Sequence, residues 1–449
     1  MGRASDDIAL KLRALEMRDT LRIAICGSVD DGKSTLLGRL LAEAGMIPDD
    51  RLAAMIRDSR KHGTQGGAPD YALLLDGLEA EREQGITIDV AWRYFGTDKR
   101  AFIVADCPGH AQYTRNMASG ASNAELGIVL VDARNGVQTQ TRRHVAILAM
   151  FGVTHVLFAV NKLDLIDYDV ARYAQIEHEC RELARTLGIA HGDAVPVSAL
   201  HADNLVVNSP RTPWYTGEPL LKLLETVEIP RRSEAPFALP VQWINRPDQH
   251  FRGYAGSIAS GRIAPDQEIV VLPSGTRTHV TRVIGGSDDL DSAQAGDAVT
   301  LTLRDQVDVS RGDVIADAVH PPEVSAQFAC HVLWLDDAPL LPGRRYLLKL
   351  ATRSTGVQIT EIKHRIDPDT QAHLAATRLS ANEIGYCNLS LDGDIAYRPY
   401  RQDRTLGGFI LIDRESNATV GCGTLDFGLR RDSNLRWQHL DVDRAARAR

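Results

Sequence analysis

Gly27-Ser28-Val29-Asp30-Asp31-Gly32-Lys33-Ser34 carries the spacing G-x-x-x-x-G-K-[ST], continued by Thr35. Such a loop binds phosphate when it follows a strand and opens a helix. The glycines let backbone N–H groups approach phosphate oxygens, and the helix N-terminus adds positive potential. Lys33 is assigned to the β- and γ-phosphates and the Ser34 hydroxyl to Mg²⁺. The loop alone does not choose ATP over GTP.

Asn161-Lys162-Leu163-Asp164 lies after a second apolar run. A carboxylate at Asp164 can accept from guanine N1–H and the 2-amino group, a donor pair that adenine lacks. The Lys162 stem can cover the base plane, and Asn161 can tie this turn to the phosphate loop. Ser198 and Ala199 follow a further strand, and the backbone N–H near Ala199 can meet guanine O6. A surface Lys/Asp loop is the plain alternative, but the order of the segments favours guanine.

Asp106-Cys107-Pro108-Gly109-His110 ends another apolar run. Asp106 is expected to hold Mg²⁺ through water, Gly109 N–H to meet the γ-phosphate, and His110 to position the attacking water. Phosphoryl transfer depends mainly on positioning and charge stabilisation. Thr87 is expected to ligate Mg²⁺ when GTP orders its loop. Val29 and Ile86 are candidates for an apolar gate over His110. Lys33 and His110 are the catalytic candidates; Cys26 and Cys107 read as small apolar fillers.

Strands are expected at Leu21–Cys26, Ala101–Ala105, Leu126–Val131, Val156–Val160 and Ala194–Val197, with helices at Ser34–Ala44 and Gln140–Met150 between them. This alternation predicts a parallel sheet covered by helices. After Phe237 the pattern becomes short strands and turns, with Ser257–Ile263 and Gln267–Leu272 read as strands, which points to β-barrels. The expected division is a lead at 1–20, an α/β P-loop GTPase domain at 21–230, β-barrels at 236–320 and 324–428, and a tail at 429–449.

The chain has 449 residues, a prior of about three domains at roughly 150 residues each. Its 44% hydrophobic content fits a globular chain, and its net charge of −8 argues against non-specific nucleic-acid wrapping. No apolar run reaches the roughly 20 residues of a membrane-spanning helix. The six cysteines form no Cys-x-x-Cys pair, so reduced thiols in a cytoplasmic protein are expected.

The phosphate and base motifs, followed by two β segments, resemble the translational GTPases such as elongation factor Tu. Further segments narrow the resemblance: Arg57–Gly66, Leu75–Asp89, Gln112–Met117 and Phe409–Gly421. They are similar to the large, GTPase subunits of bacterial sulfate adenylyltransferase. That resemblance implies GTP and Mg²⁺ as cofactors and a separate small PP-loop subunit of the CysD type as partner. The partner would join ATP and sulfate to adenosine 5′-phosphosulfate and pyrophosphate, driven by GTP hydrolysis on this chain. Neither nucleic acid nor membrane is expected as a partner. Cys107 stands where the family usually has threonine, and Ala111 where it usually has glutamate. Some relatives carry a fused kinase with a second P-loop, and no second such motif occurs here. An elongation-factor-like carrier of aminoacyl-tRNA and a non-catalytic GTP sensor are the competing readings.

Overall fold

The computed structural model describes residues 19–429, apart from 46, 48, 63–68, 75–86, 88, 230–234, 249–250 and 287. The chain packs as two compact units. One comprises Met1–Pro230 with Ile366–Leu374, the other Arg231–Arg365 with Ala375–Arg449.

The first unit is built on six strands: β1 (Thr20–Gly27), β2 (Ala91–Gly96), β3 (Ala101–Asp106), β4 (Leu126–Asp132), β5 (His155–Asn161) and β6 (His191–Pro196). Their order is β2-β3-β1-β4-β5-β6. β2 runs antiparallel to β3, and the other pairs are parallel. The helices are α1 (Lys33–Glu43), α2 (Asp49–His62), α3 (Thr114–Asn123), α4 (Thr139–Met150), α5 (Val170–Thr186) and α6 (Leu220–Thr226). β4 is buried at all seven positions, as a strand covered on both faces must be. Ile23, Ile25, Ile128, Leu130, Ala159 and Val195 form the centre of a core that also takes in Leu36 and Leu40 of α1.

Two elements of this unit depart from the sequence expectation. β2 was not anticipated; it is an edge strand whose Trp92 and Tyr94 face outward, so it lacks the apolar run of its neighbours. β6 begins at His191, three residues before the expected Ala194, because register with β5 recruits His191, Gly192 and Asp193 to the ladder.

In the second unit, an eight-stranded sheet curls round Phe237, Leu239, Tyr254, Ile269, Val271, Val283 and Leu301. Ser257–Ile263 is not one strand as expected. Gly253–Ser257 and Arg262–Ile263 are separate strands, and the chain turns between them at Gly261, with φ +72°. The following β segment forms a seven-stranded sheet in which Arg345–Leu350 also pairs with Arg353–Ile366, closing a barrel round Phe328, Val332, Trp334, Leu348 and Leu389. The two barrels share a seam of Ala238, Val270, Leu272, Val314 and Ala316 against Ala396 and Leu406. Buried Arg398 stitches this seam, donating to the Pro236 carbonyl at 3.0 Å and Ser260 Oγ at 2.7 Å.

Candidate functional site

Parallel strands end at one edge of a sheet, so the loops that follow them converge there. Ile25 of β1 registers with Asp106 of β3, Gly27 with Leu130 of β4, Asp132 of β4 with Asn161 of β5, and Val160 with Pro196 of β6. The segments at 27–35, 106–110, 161–164 and 198–199 therefore leave the same sheet edge.

The loop at 27–34 folds round Lys33. Its ammonium donates to the carbonyls of Gly27 at 3.1 Å and Ser28 at 2.7 Å. Ser28 N–H donates to the Asp31 carboxylate at 2.7 Å. Asp30 (φ 65°) and Gly32 (φ 92°) are left-handed, which turns the chain into α1. Gly32 is also sterically required, because a Cβ there would lie 2.5 Å from Asn161 Nδ2. Burial pushes the Asp31 carboxyl up to about 6 although Lys33 opposes the shift. The same burial lowers the Lys33 ammonium. Ser34 and Thr35 are half-buried in the first turn of α1, and Val29 is exposed at the loop tip.

Asp106 is buried at the end of β3. Cys107 N–H donates to the Ile25 carbonyl at 3.0 Å, which keeps the segment against β1. Cys107 is fully buried, and its thiol is pushed well up by burial, as is Cys26, up to about 12. Neither is suited to nucleophilic chemistry. Pro108 and Gly109 bring the chain over the phosphate loop: a Cβ at Gly109 would fall 2.5 Å from Lys33 Nζ and 2.8 Å from the Gly27 carbonyl. His110 is exposed, and its Nδ1 accepts from Gln112 N–H at 3.4 Å. Thr87 is half-buried and outside any helix or strand; Ile86 and most of the loop before it lie outside the described residues.

Asn161 joins three segments. Its Nδ2 donates to the Asp31 carbonyl at 2.8 Å, and its Oδ1 accepts from Ala199 N–H at 2.9 Å. Lys162 is left-handed, with φ 63°; its ammonium donates to the Asp30 carbonyl and lies 3.0 Å from the Asp132 carboxylate. Leu163 is buried as the anchor of the turn. Asp164 accepts from Ser198 Oγ at 2.6 Å, a short charge-assisted bond. All four candidate segments are thus interlinked or adjoining; Thr87 lies outside them.

Three supporting residues escaped the sequence reading. Asp132 is buried; burial opposes its charge, but Arg134 at 2.6 Å and Lys162 hold its carboxyl below the usual range. Thr141 Oγ1 lies 3.5 Å from Ser28 Oγ, and His144, one turn along α4, is driven down to about 3 by burial and by the Lys33 and Arg143 charges. The strand-end Val131-Asp132 pattern could have flagged the first; a histidine on an apolar helix face gives no comparable signal.

The site fits a triphosphate and a hard cation. Gly32 and Gly109 keep the loop open where side chains would fill it. The Ser34 hydroxyl and Asp106 carboxylate are the hard oxygen donors that suit Mg²⁺, which favours a few protein oxygens plus phosphate over an all-protein cage. Among the described residues no cluster of three or more His, Cys, Asp or Glu side chains forms a separate metal site, and no helix is long and apolar enough to cross a membrane.

Residues 18–230 match the Elongation factor Tu GTP binding domain family, and residues 327–426 the GTP-eEF1A C-terminal domain-like family. The chain is 56% identical over 440 residues to the bifunctional enzyme CysN/CysC of Xylella fastidiosa, covering 98% of this chain and 70% of that protein. It is 48% identical over 420 residues to sulfate adenylyltransferase subunit 1 of Alteromonas mediterranea, with 93% and 89% covered. Against the subunit 1 of Laribacter hongkongensis it is 47% identical over 448 residues, with 98% and 93% covered. With a GTP-binding domain and two β-barrels in this order, the chain belongs to the sulfate adenylyltransferase subunit 1 family.

Proposed function

We propose that this chain hydrolyses GTP to drive synthesis of adenosine 5′-phosphosulfate from ATP and sulfate on a separate small subunit of the PP-loop, CysD type. The observation that carries the proposal is the meeting of the 27–35, 106–110 and 161–164/198–199 segments at one sheet edge, in a chain whose relatives bear the sulfate adenylyltransferase name.

GTP would seat its phosphates in the loop from Gly27 to Thr35. Lys33 would exchange the Gly27 and Ser28 carbonyls for β- and γ-phosphate oxygens. This exchange gives a desolvated ammonium an anionic partner and favours its charged form. Asp164 would read guanine N1–H and the 2-amino group, Lys162 would cover the base, and Ala199 N–H would meet O6. Gly109 N–H would meet the γ-phosphate. His110 keeps Nδ1 toward Gln112, so Nε2 is the atom assigned to orient the attacking water. Mg²⁺, held by Ser34, Thr87 and Asp106, would supply charge neutralisation on the phosphates. Coupling to the partner requires that it bind the GTP and GDP forms with different affinity.

The test mixes the purified chain with the matching small subunit, ATP, sulfate and GTP. GTP turnover is expected to rise on adding the small subunit, and adenosine 5′-phosphosulfate to accumulate only while GTP is consumed. No complex and no stimulation would sink the proposal; GTP-dependent protection of aminoacyl-tRNA would point to a carrier instead.

A further inference from the structure

The segment between Ala199 and α6 holds a buried carboxylate that the proposed chemistry does not use. Asp203 is 7% exposed, yet it gathers groups from three places. Its Oδ2 accepts from Tyr168 Oη at 2.6 Å and from Arg211 at 3.1 Å. Its Oδ1 accepts from Ser209 Oγ at 2.6 Å. Its own N–H donates to the Ser198 carbonyl at 3.1 Å.

These contacts close a circuit round the base site. Tyr168 N–H donates to the Leu163 carbonyl at 2.9 Å, fixing the turn that presents Asp164. Asp164 accepts from Ser198 Oγ, and Ser198 is held through its carbonyl by Asp203. The Asp203 carboxylate then returns to Tyr168. Four non-glycine residues with left-handed backbone stand along this path: Asp167 (φ 54°), Tyr168 (φ 54°), Ala202 (φ 60°) and Asn204 (φ 56°). Such conformations persist only where surrounding contacts hold them. The platform under them is tied together through one side chain. Buried Asn204 donates to the Pro196 carbonyl at 2.7 Å and to Thr212 Oγ1 at 2.9 Å, and accepts from Ser209 N–H at 2.7 Å.

We propose that Asp203 is a positioning residue for guanine selectivity, a clamp that joins the Tyr168 end of the 161–168 turn to the Ser198 turn and so fixes the direction of the Asp164 carboxylate. The proposal rests on the base-site reading above. Asp203 touches no nucleotide itself; it acts through Tyr168 and Ser198. Its effect falls on the base and leaves the γ-phosphate side, at Gly109 and Lys33, untouched.

The experiment measures dissociation constants of the full chain for GDP, GTP and IDP, which lacks the 2-amino group. Wild type should prefer GDP over IDP. In Asp203→Asn the Arg211 charge pair is lost, and that preference should fall about tenfold. Tyr168→Phe removes one hydroxyl from the clamp and should lower it about threefold. The double variant should be no less selective than Asp203→Asn alone, because both act in one circuit. The GTP to GDP ratio should hold throughout. Should Asp203→Asn fail to fold, Tyr168→Phe decides. An unchanged GDP to IDP preference in folded variants, whatever happens to melting temperature, overturns the proposal alone. A wild type that does not prefer GDP overturns the base-site reading, and this one with it.

Discussion

Asn161 reaches from the end of β5 to the phosphate loop, its Nδ2 donating to the Asp31 carbonyl at 2.8 Å. Because its Oδ1 is engaged by Ala199 N–H, one buried amide couples the phosphate side of the pocket to the base side. Asn161→Ala would leave a buried carbonyl and a buried N–H without partners, each worth about 1–3 kcal/mol. Guanine-nucleotide affinity should drop by about two orders of magnitude, with a lower melting temperature. Fluorescent-GDP titration and a thermal melt check this; an unaltered affinity would mean the amide does not organise the pocket.

Gly109→Ala addresses the γ-phosphate side. The added methyl would meet the Lys33 ammonium and the Gly27 carbonyl inside ordinary contact distance, and the carbonyl belongs to backbone that cannot rotate away. GTP affinity should fall more than GDP affinity, by about tenfold in the ratio. Equal losses for both nucleotides would contradict the assignment of Gly109 N–H to the γ-phosphate.

His110→Ala tests the orienting role. Partner-stimulated GTP turnover should fall by about 10²–10³-fold with nucleotide affinity retained. His110 is exposed at the pocket lip, so the substitution should leave the melting temperature near wild type. Single-turnover hydrolysis separates this outcome from a binding defect; wild-type turnover in the variant would remove His110 from the mechanism.

Asp132 holds Lys162 at 3.0 Å while also pairing with Arg134. In Asp132→Asn the ammonium loses its buried anionic partner, and the stem over the base loses its anchor. GDP release should quicken by about three- to tenfold, read by displacement kinetics. A release rate equal to wild type would show that the Asp30 carbonyl alone suffices to place Lys162.

His144 gives a pH prediction with a definite sign. Its folded-state value is driven from 6.5 down to about 3, so the unfolded chain binds the proton more tightly. Its contribution to stability is complete above pH 6.5 and is lost as pH falls toward 3, with a slope of up to about 1.4 kcal/mol per pH unit. His144→Gln removes this titration, so the fall in stability between pH 6 and 4 should be shallower. Urea unfolding at a series of pH values measures the slope; parallel curves for variant and wild type would show that His144 titrates normally.

The strand–loop–helix form of the 20–43 segment, the Asn161–Asp164 turn and the fold class were legible in the chain because each rests on local constraints. Glycine spacing sets which backbone angles are reachable, and a short apolar run such as Leu126–Val131 reads as a strand covered on both faces, which its burial at every position bears out. β2 was not legible, since an edge strand with exposed Trp92 and Tyr94 shows no such run. The break at Gly261 was hidden because Ile258 and Ile263 flank it, while the turn itself rests on one left-handed glycine.

The sequence by itself determined which residue types are available for chemistry and in which order they occur. Tertiary structure alone decided that Asp203 meets Tyr168 across 35 positions, and that Thr141 and His144 lie behind the phosphate loop. Their types and spacings carry no mark of these pairings. The contacts arise when parallel strands bring distant loops to one edge, and burial there strengthens hydrogen bonds and shifts charges by amounts that no local pattern contains.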